Sequence, residues 1–102
     1  MLKNWRKWVE KIAQEVAELL PDAKVYVVGS VARGDYVASS DVDVLVVSDR
    51  VPEKPADRSR IKLIIEEKLN LPPHHPFEIH LLTKTEAKYY LKRSSNHIIQ
   101  LT

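Results

Sequence analysis

Two aspartates one residue apart, Asp41 and Asp43, carry the clearest chemical signal in this sequence. On a β-strand, side chains two positions apart point to the same face of the sheet. Carboxylates held that close repel each other unless a cation lies between them. Mg²⁺ characteristically joins one or two carboxylates to substrate phosphates. The pair therefore predicts a divalent-cation site that handles phosphate groups, and the alternative is a solvated strand end.

A glycine-containing turn precedes the aspartate pair. Gly29 and Ser30 follow an apolar run, and Gly34 ends the turn. Gly29 has no Cβ and so allows the backbone to approach a phosphate closely, while Ser30 would offer its hydroxyl and free N–H groups to an anion. Arg33 is either a phosphate contact or part of a structural ion pair. An acidic pair beside such a turn is the arrangement that nucleotidyl or phosphoryl transfer with two metal ions requires.

The spacing of these residues resembles the signature of a known superfamily. Gly-Ser at 29–30, ten further residues and Asp-x-Asp at 41–43 resemble the pattern of the DNA polymerase β-like nucleotidyltransferases. The short chain and the full form of the motif, Gly-Ser-x-Ala-Arg-Gly and later Ser-Asp-x-Asp, are most similar to the minimal nucleotidyltransferases. Many of those are antitoxins encoded with a HEPN-domain toxin. The specific motif spans residues 29–43 alone.

The resemblance implies both a fold and an activity. The fold would be α+β, in the order α-β-α-β-α-β-α, with a small mixed sheet covered by helices. The activity would be Mg²⁺-dependent transfer of a nucleoside monophosphate, AMP from ATP, to a hydroxyl of a HEPN-partner tyrosine, an RNA end or a small molecule. The residues that carry over are Gly29, Ser30, Arg33 and Ser40 for the nucleotide, and Asp41, Asp43 and Glu78 for two Mg²⁺ ions.

The third carboxylate, Glu78, is expected on a later strand beside the aspartate pair. Apolar residues alternate between Phe77 and Leu82, which leaves Glu78 and His80 together on the other face. Many family members have Asp at this place, so the longer Glu is a departure. Glu78 would hold one metal ion and help remove the proton from the attacking hydroxyl, or it is an exposed edge residue. His80 is either a partner of this site or a structural histidine.

Hydrophobic periodicity predicts the elements that position these residues. We expect helices over 3–20, over 57–69 and from a capping-box pattern at Thr83 and Glu86 to about Arg93, and strands over 24–28, 41–47 and 77–82. The expected core-facing residues of the two longer helices are Trp5, Val9, Ile12, Val16 and Leu19, then Ile61, Ile64, Ile65 and Leu69. The last residues, 98–101, are either a short strand or a docked end.

Length and composition limit the class of protein. The 102 residues predict one domain over 1–102, and the absence of cysteine excludes disulfides and thiolate ligands. Sixteen basic against fourteen acidic residues give a net charge of +2, which is too weak a bias to indicate nucleic acid. No apolar stretch is long enough to span a bilayer, and no apolar leader follows Met1, so we expect a cytoplasmic protein with no membrane partner.

Larger members of the superfamily carry a helical domain that grips the nucleotide base and the acceptor. Few residues follow the third predicted helix, so we expect a helical HEPN-type partner or a homodimer to supply that surface. Trp5 and Trp8 lie one helical turn apart. One of them is expected to be exposed and to mark a contact surface.

Two other functions stay open. The first is a binding protein that neutralises a partner by occlusion and whose transferase site is vestigial; the intact carboxylates argue against it. The second is an RNA-binding module that uses a basic stripe on the third predicted helix, formed by Lys84, Lys88 and Lys92. The small net charge and the lack of an aromatic stacking pattern argue against it. Such a stripe is most simply a solvated helix face.

Overall fold

A four-stranded mixed sheet organises the chain, whose computed structural model describes residues 1–94 and 97–102. A 3-10 helix at Leu2–Asn4 precedes four helices: α1 (Trp5–Leu19), α2 (Ser30–Arg33), α3 (Pro55–Lys68) and α4 (Lys84–Ser94). The strands are β1 (Lys24–Val28), β2 (Val42–Val47), β3 (Phe77–Leu82) and β4 (Ile99–Gln100). Their order across the sheet is β3-β2-β1-β4. Because β2 and β3 are parallel while β1 is antiparallel to β2 and β4, the expected α+β fold with a mixed sheet is confirmed.

The larger core lies between one face of the sheet and the helices α1 and α3. Val27, Val44 and Ile79 project from β1, β2 and β3 into this core, where Ile12 of α1 and Ile65 of α3 are fully buried. These strand residues occupy alternate positions, as the period of two requires. The residues between them on each strand therefore point to the opposite face of the sheet, away from this core.

The second face of the sheet is smaller and is covered by α4. Leu45, Val47 and Leu82 form a buried cluster with Ala87 of α4. Asp43 lies two residues before Leu45 on β2, and His80 lies two residues before Leu82 on β3. Side chains two positions apart point to the same face, so Asp43 and His80 share this face with the cluster. The alternation that buries leucines at one end of these strands thus places the predicted polar residues at the other end.

The last residues form the strand β4, which settles the alternative left open by the sequence. β4 pairs antiparallel with β1, with Gln100 opposite Tyr26 and Ile99 opposite Val27. The Thr102 hydroxyl accepts a hydrogen bond of 2.9 Å from the Val25 N–H. The C-terminal segment therefore covers the edge of β1 that would otherwise be unpaired.

Two expected core positions on the helices are wrong. Leu19 is exposed, and Leu20 is buried in its place. This exchange occurs because α1 ends at Leu19, and the extended backbone of the next residue turns its side chain inward. On α3, Ile64 is exposed while Ile65 is buried, since neighbouring residues lie about 100° apart around a helix and only a narrow stripe is covered.

No helix in the described ranges is both long and apolar enough to cross a membrane.

The expectation that one tryptophan is exposed is also wrong. Trp5 and Trp8 are both half-buried and pack against the larger core. The Trp8 ring lies 6.5 Å from the Phe77 ring, centroid to centroid. Leu69 and Leu71 pack against the same cluster. The larger core thus has enough apolar surface around it for both indoles to pack against it.

An ion pair ties α3 to the start of α4. Arg58 of α3 lies 2.9 Å from the Glu86 carboxylate and also donates to the carbonyl oxygens of Pro52 and Leu81. Thr83 and Glu86 form the predicted capping box: the Thr83 N–H donates to Glu86 Oε1 at 2.9 Å, and the Glu86 N–H donates to Thr83 Oγ1 at 3.3 Å. Glu86 therefore anchors α4 to both β3 and α3.

We expect Glu86→Gln to destabilise the protein by about 1 kcal/mol at neutral pH. The pKa of Glu86 lies below its ordinary value, chiefly because the Thr83 N–H donates to the carboxylate and also because of Arg58. A depressed carboxyl pKa contributes stability above the unfolded pKa, and this contribution is lost as pH falls through the folded pKa. Urea unfolding at several pH values should therefore show the deficit shrinking below pH 4.5. Glu67→Gln, at an exposed position of α3, is the control that should match the wild type throughout.

Candidate active site

Three side chains meet where β2 and β3 begin. The parallel register places Asp43 opposite Glu78, and His80 lies two residues further along β3 on the same face. Ligand atoms of Asp43, Glu78 and His80 all lie within 4.8 Å of one another. His80 Nε2 is 3.6 Å from Asp43 Oδ1 and 3.7 Å from Glu78 Oε1. The predicted neighbours on the sheet are thus brought together, and the histidine joins them.

The donor set of this group fits a divalent cation. Within residues 1–94 and 97–102, His80 is the one basic side chain within 4.0 Å of the Asp43 and Glu78 carboxylates, and no hydrogen bond reaches either carboxylate. The Asp43 side chain is 34% exposed and that of Glu78 is 55% exposed, so an ion can reach both. Two carboxylates without a lysine or arginine partner are the oxygen donors that Mg²⁺ and Mn²⁺ prefer.

The backbone at Gly29 lies against the Asp43 carboxylate. Gly29 follows β1 and precedes α2, with φ +81° and ψ −157°, a conformation that essentially only glycine adopts. A Cβ at this position would lie 2.5 Å from Asp43 Oδ2. The first N–H that bonds within α2 is that of Arg33, which donates to the Gly29 carbonyl at 3.0 Å. The N–H groups at the start of α2 therefore remain available beside the carboxylates, as an anion-binding turn requires.

A cavity of about 420 Å³ opens between this end of the sheet and the C-terminal half of α4. Its walls contain Asp43 and His80 from the acidic group, Gly29 from the turn, and three residues that carry or can carry positive charge. The complete lining is Val28, Gly29, Arg33, Asp43, Leu45, His80, Tyr90, Arg93, Ser94 and His97. Ligand pockets in proteins have volumes of roughly 300–1,000 Å³. The cavity thus has the size and the charge for a small anionic ligand.

The remaining predicted site residues lie around this centre. Asp41 is exposed and precedes the first residue of β2 by one, so the predicted strand starts one residue too early, and Asp41 is outside the group of three ligands. Arg33 lines the cavity while its Nε lies 3.3 Å from Asp35 Oδ2. Ser40 holds the turn before β2, because its hydroxyl accepts from the Val37 N–H at 2.9 Å. Ser30 opens α2.

Sequence reasoning missed the wall that α4 contributes. Tyr90 and Arg93 of α4 line the cavity, as does His97 beyond the helix, whereas the sequence assigned the basic residues of this helix to a solvated stripe. Tyr90 and Arg93 are three residues apart and so share one face of the helix, which was the available signal. Lys84, at the start of the stripe, instead lies 3.0 Å from Asp49.

Comparison with known proteins identifies the family. Residues 9–100 match the family model described as the nucleotidyltransferase domain. The chain belongs to this nucleotidyltransferase family. No curated protein matches the sequence significantly.

Solved structures of similar proteins agree with the nucleotidyltransferase fold. A protein described as a "putative nucleotidyltransferase" is 34% identical, with a TM-score of 0.71, over 92% of this chain and 97% of its own. A second protein of that description, from Sulfolobus solfataricus, is 27% identical, with a TM-score of 0.67, over 92% of this chain and 76% of its own. A toxin–antitoxin structure with AMP-PNP is 19% identical, with a TM-score of 0.62, over 91% and 71%; this third likeness concerns the fold alone.

We expect Gly29→Ala to weaken divalent-cation binding by roughly tenfold or more, because the new Cβ must displace the Asp43 carboxylate. Gly34→Ala is the matched control. Gly34 also has a positive φ, +82°, but a Cβ there meets nothing within 4 Å. Gly34→Ala should lose on the order of 1–2 kcal/mol of stability, because Gly34 is left-handed helical. Gly29→Ala should lose at least as much, because its backbone conformation is essentially restricted to glycine.

Calorimetric titration with Mn²⁺ and thermal unfolding separate these two effects. Equal loss of cation affinity in both variants would show that strain, and not contact with Asp43, makes Gly29 necessary.

Proposed function

We propose that this protein is a Mg²⁺-dependent enzyme that transfers AMP from ATP to a hydroxyl group. The observation that carries the proposal is the meeting of Asp43 and Glu78 beside the Gly29 turn in a chain that belongs to the nucleotidyltransferase family. Paired carboxylates next to an anion-binding turn are what transfer at a phosphorus centre requires. The supporting comparison is the similar toxin–antitoxin structure with AMP-PNP.

The triphosphate would bind at the turn between β1 and α2. Ser30 offers its hydroxyl and, with the next residues of α2, unpaired backbone N–H groups to the β and γ phosphates. Arg33 lines the same cavity and can exchange its exposed contact with Asp35 for a phosphate oxygen. An exposed ion pair of this kind is worth little, typically under about 1 kcal/mol, so its loss does not oppose binding.

The carboxylates would hold the cations. Asp41, Asp43 and Glu78 are the proposed ligands of two Mg²⁺ ions, which when bound supply positive charge to the phosphate oxygens. Asp41 lies one residue before β2 and is exposed, which leaves its side chain free to reorient towards a bound nucleotide. Ser40 shapes the turn from which Asp41 projects.

The transfer step itself needs one new bond and one broken bond. The acceptor oxygen forms a bond to the α-phosphorus, and the bond from that phosphorus to the bridging oxygen of the β-phosphate breaks. Pyrophosphate leaves, and the hydroxyl proton passes to the Glu78 carboxylate and then to water. Glu78 is the more exposed of the two strand carboxylates, so it can meet an acceptor that arrives from outside.

The acceptor would come from another protein. We propose a tyrosine of a helical HEPN-type partner, so that modification of the partner is the antitoxin activity; a second copy of this chain is the alternative source of the acceptor surface. Because both tryptophans pack against the core, they no longer support a contact surface. The proposal rests instead on the small extent of the cavity walls. They consist of one end of the sheet, the turn from Gly29 to Arg33, the end of α4 and His97.

The decisive experiment follows radioactive phosphate from ATP to its acceptor. Incubation of the protein and native lysate with ATP labelled at the α-phosphate should label a protein on tyrosine that lysate alone leaves unlabelled. With ATP labelled at the γ-phosphate, addition of the protein should give no band beyond those that kinases produce in lysate alone. Asp43→Asn and Asp41→Asn should each lower labelling by about a hundredfold or more. Glu53→Gln, at an exposed residue outside the site, should label at the wild-type rate. Undiminished labelling by the double Asn variant would overturn the assignment, and partner capture without any label would favour occlusion.

We expect Glu78→Gln to slow turnover more than it weakens nucleotide binding. The amide keeps the shape of the side chain but loses the basic oxygen that takes up the acceptor proton. Ser30→Ala should show the opposite pattern, since its hydroxyl is proposed to hold phosphate and not to react. Nucleotide affinity by fluorescence titration and turnover by pyrophosphate release give the two values separately. An unchanged turnover in Glu78→Gln would remove this residue from the transfer step.

A further inference from the structure

We propose that His80 is a direct ligand of the divalent cation at this site, and that its imidazole shifts the preference of the site from Mg²⁺ towards Mn²⁺. The inference rests on the proposed function, because it concerns the cation site of that activity. The inference goes beyond the proposed function because it adds a nitrogen ligand to a cation site for which the sequence predicted carboxylates alone. Three observations support it.

The first observation is the spacing of the three donor atoms. Two ligand atoms that each lie about 2.1 Å from one ion are roughly 3.0–3.4 Å apart at octahedral to tetrahedral angles. His80 Nε2 lies 3.6 Å from Asp43 Oδ1 and 3.7 Å from Glu78 Oε1. Both separations are too long for hydrogen bonds, but they need to shrink by only a few tenths of an ångström to share an ion. The carboxylates of Asp43 and Glu78 lie within 4.8 Å of each other and must approach by up to roughly 1.4–1.8 Å, which their exposed side chains allow.

The second observation is that the imidazole is held with one edge towards the carboxylates. The Tyr90 ring packs on it, with centroids 5.6 Å apart and planes at 42°. The His80 side chain is 22% exposed and stands opposite Leu45 in the sheet register. The ring is therefore supported on its α4 side, which reduces the entropy lost when a cation fixes it.

The third observation is a contrast with His75, a histidine whose ring nitrogens are both used. His75 Nε2 lies 2.5 Å from Glu66 Oε2, and its Nδ1 accepts the Phe77 N–H at 3.1 Å. That is the pattern of a structural histidine. Among residues 1–94 and 97–102, no hydrogen bond satisfies the His80 ring, although it sits beside two carboxylates. Its nitrogen is thus available to a ligand.

The chemical consequence is a change in cation preference. Carboxylate and water ligands suit Mg²⁺ and Mn²⁺, whereas imidazole favours transition metals, and affinity rises along the divalent series from Mn²⁺. Mg²⁺ binds imidazole reluctantly because it keeps its own waters. A site with two carboxylates and one imidazole should therefore hold Mn²⁺ more tightly than Mg²⁺, while Asp41, outside the group, is left for a second ion.

The test measures cation binding to the protein without nucleotide. Free Mn²⁺ is followed by electron paramagnetic resonance, and Mg²⁺ affinity is measured by competition. In the wild type, electron spin-echo spectra of bound Mn²⁺ should show modulation from a ¹⁴N nucleus. His80→Gln should remove this modulation and lower Mn²⁺ affinity about tenfold or more, with less than a threefold change for Mg²⁺. His80→Asp should retain cation binding but lower the ratio of Mn²⁺ to Mg²⁺ affinity.

His74→Gln is the matched control, because His74 is an exposed loop histidine outside the group, and it should behave as the wild type. Thermal unfolding in EDTA checks that each variant is folded.

The role of His80 would be overturned if His80→Gln left the ratio of Mn²⁺ to Mg²⁺ affinity unchanged and the wild type gave no ¹⁴N signal. The proposed function would then remain intact. Absence of any Mn²⁺ or Mg²⁺ binding, with and without AMP-PNP, would overturn both. If His80 only positions the carboxylates, His80→Gln would weaken both cations equally, which also contradicts the inference.

Discussion

The close approach of the Gly29 backbone to the Asp43 carboxylate is the constraint on which the site depends. A Cβ at position 29 would lie 2.5 Å from Asp43 Oδ2, so any other residue there would displace the carboxylate from its place beside the turn. The antiparallel pairing of Val28 with Asp43 fixes this contact along the sheet. The parallel pairing of Asp43 with Glu78 then brings in the second acid. One glycine and two strand registers therefore assemble groups that are far apart in the sequence.

The helix α4 joins stability to the site. At its beginning, Glu86 caps the helix and pairs with Arg58, which in turn holds the carbonyl oxygen of Leu81. At its other end, Tyr90 packs on His80 and Arg93 lines the cavity. A helix is stiff over this length, so fixing its first turn also restricts where its last turns lie. The anchoring ion pair thus contributes to the geometry of a cavity that it does not line.

The sequence predicted those parts of the fold that depend on local patterns. Alternation along β3 correctly separated Glu78 and His80 from Phe77 and Ile79, and the capping box at Thr83 is present. The buried faces of the helices were less predictable. Whether Leu19 or Leu20 is buried depends on where α1 ends, and whether Ile64 or Ile65 is buried depends on how wide a stripe of α3 its neighbours cover. The contribution of Tyr90 to the cavity arises from tertiary packing of α4 on the sheet. Partial burial of the tryptophans also depends on tertiary packing, since the Trp8 ring lies against Phe77 of β3.

Repulsion between the two carboxylates is an electrostatic cost that the fold must offset. Two carboxylates about 4.8 Å apart or closer repel each other by roughly 1 kcal/mol under water-like screening and roughly 3–4 kcal/mol at a typical protein surface. Both Asp43 and Glu78 are substantially exposed, which keeps the cost towards the lower value. The apolar residues of β2 that follow Asp43 are buried on both faces of the sheet, and their burial can offset this repulsion. In the proposed function a cation would therefore serve the chemistry and not the folding, in contrast to a structural metal site, whose binding energy is also folding energy.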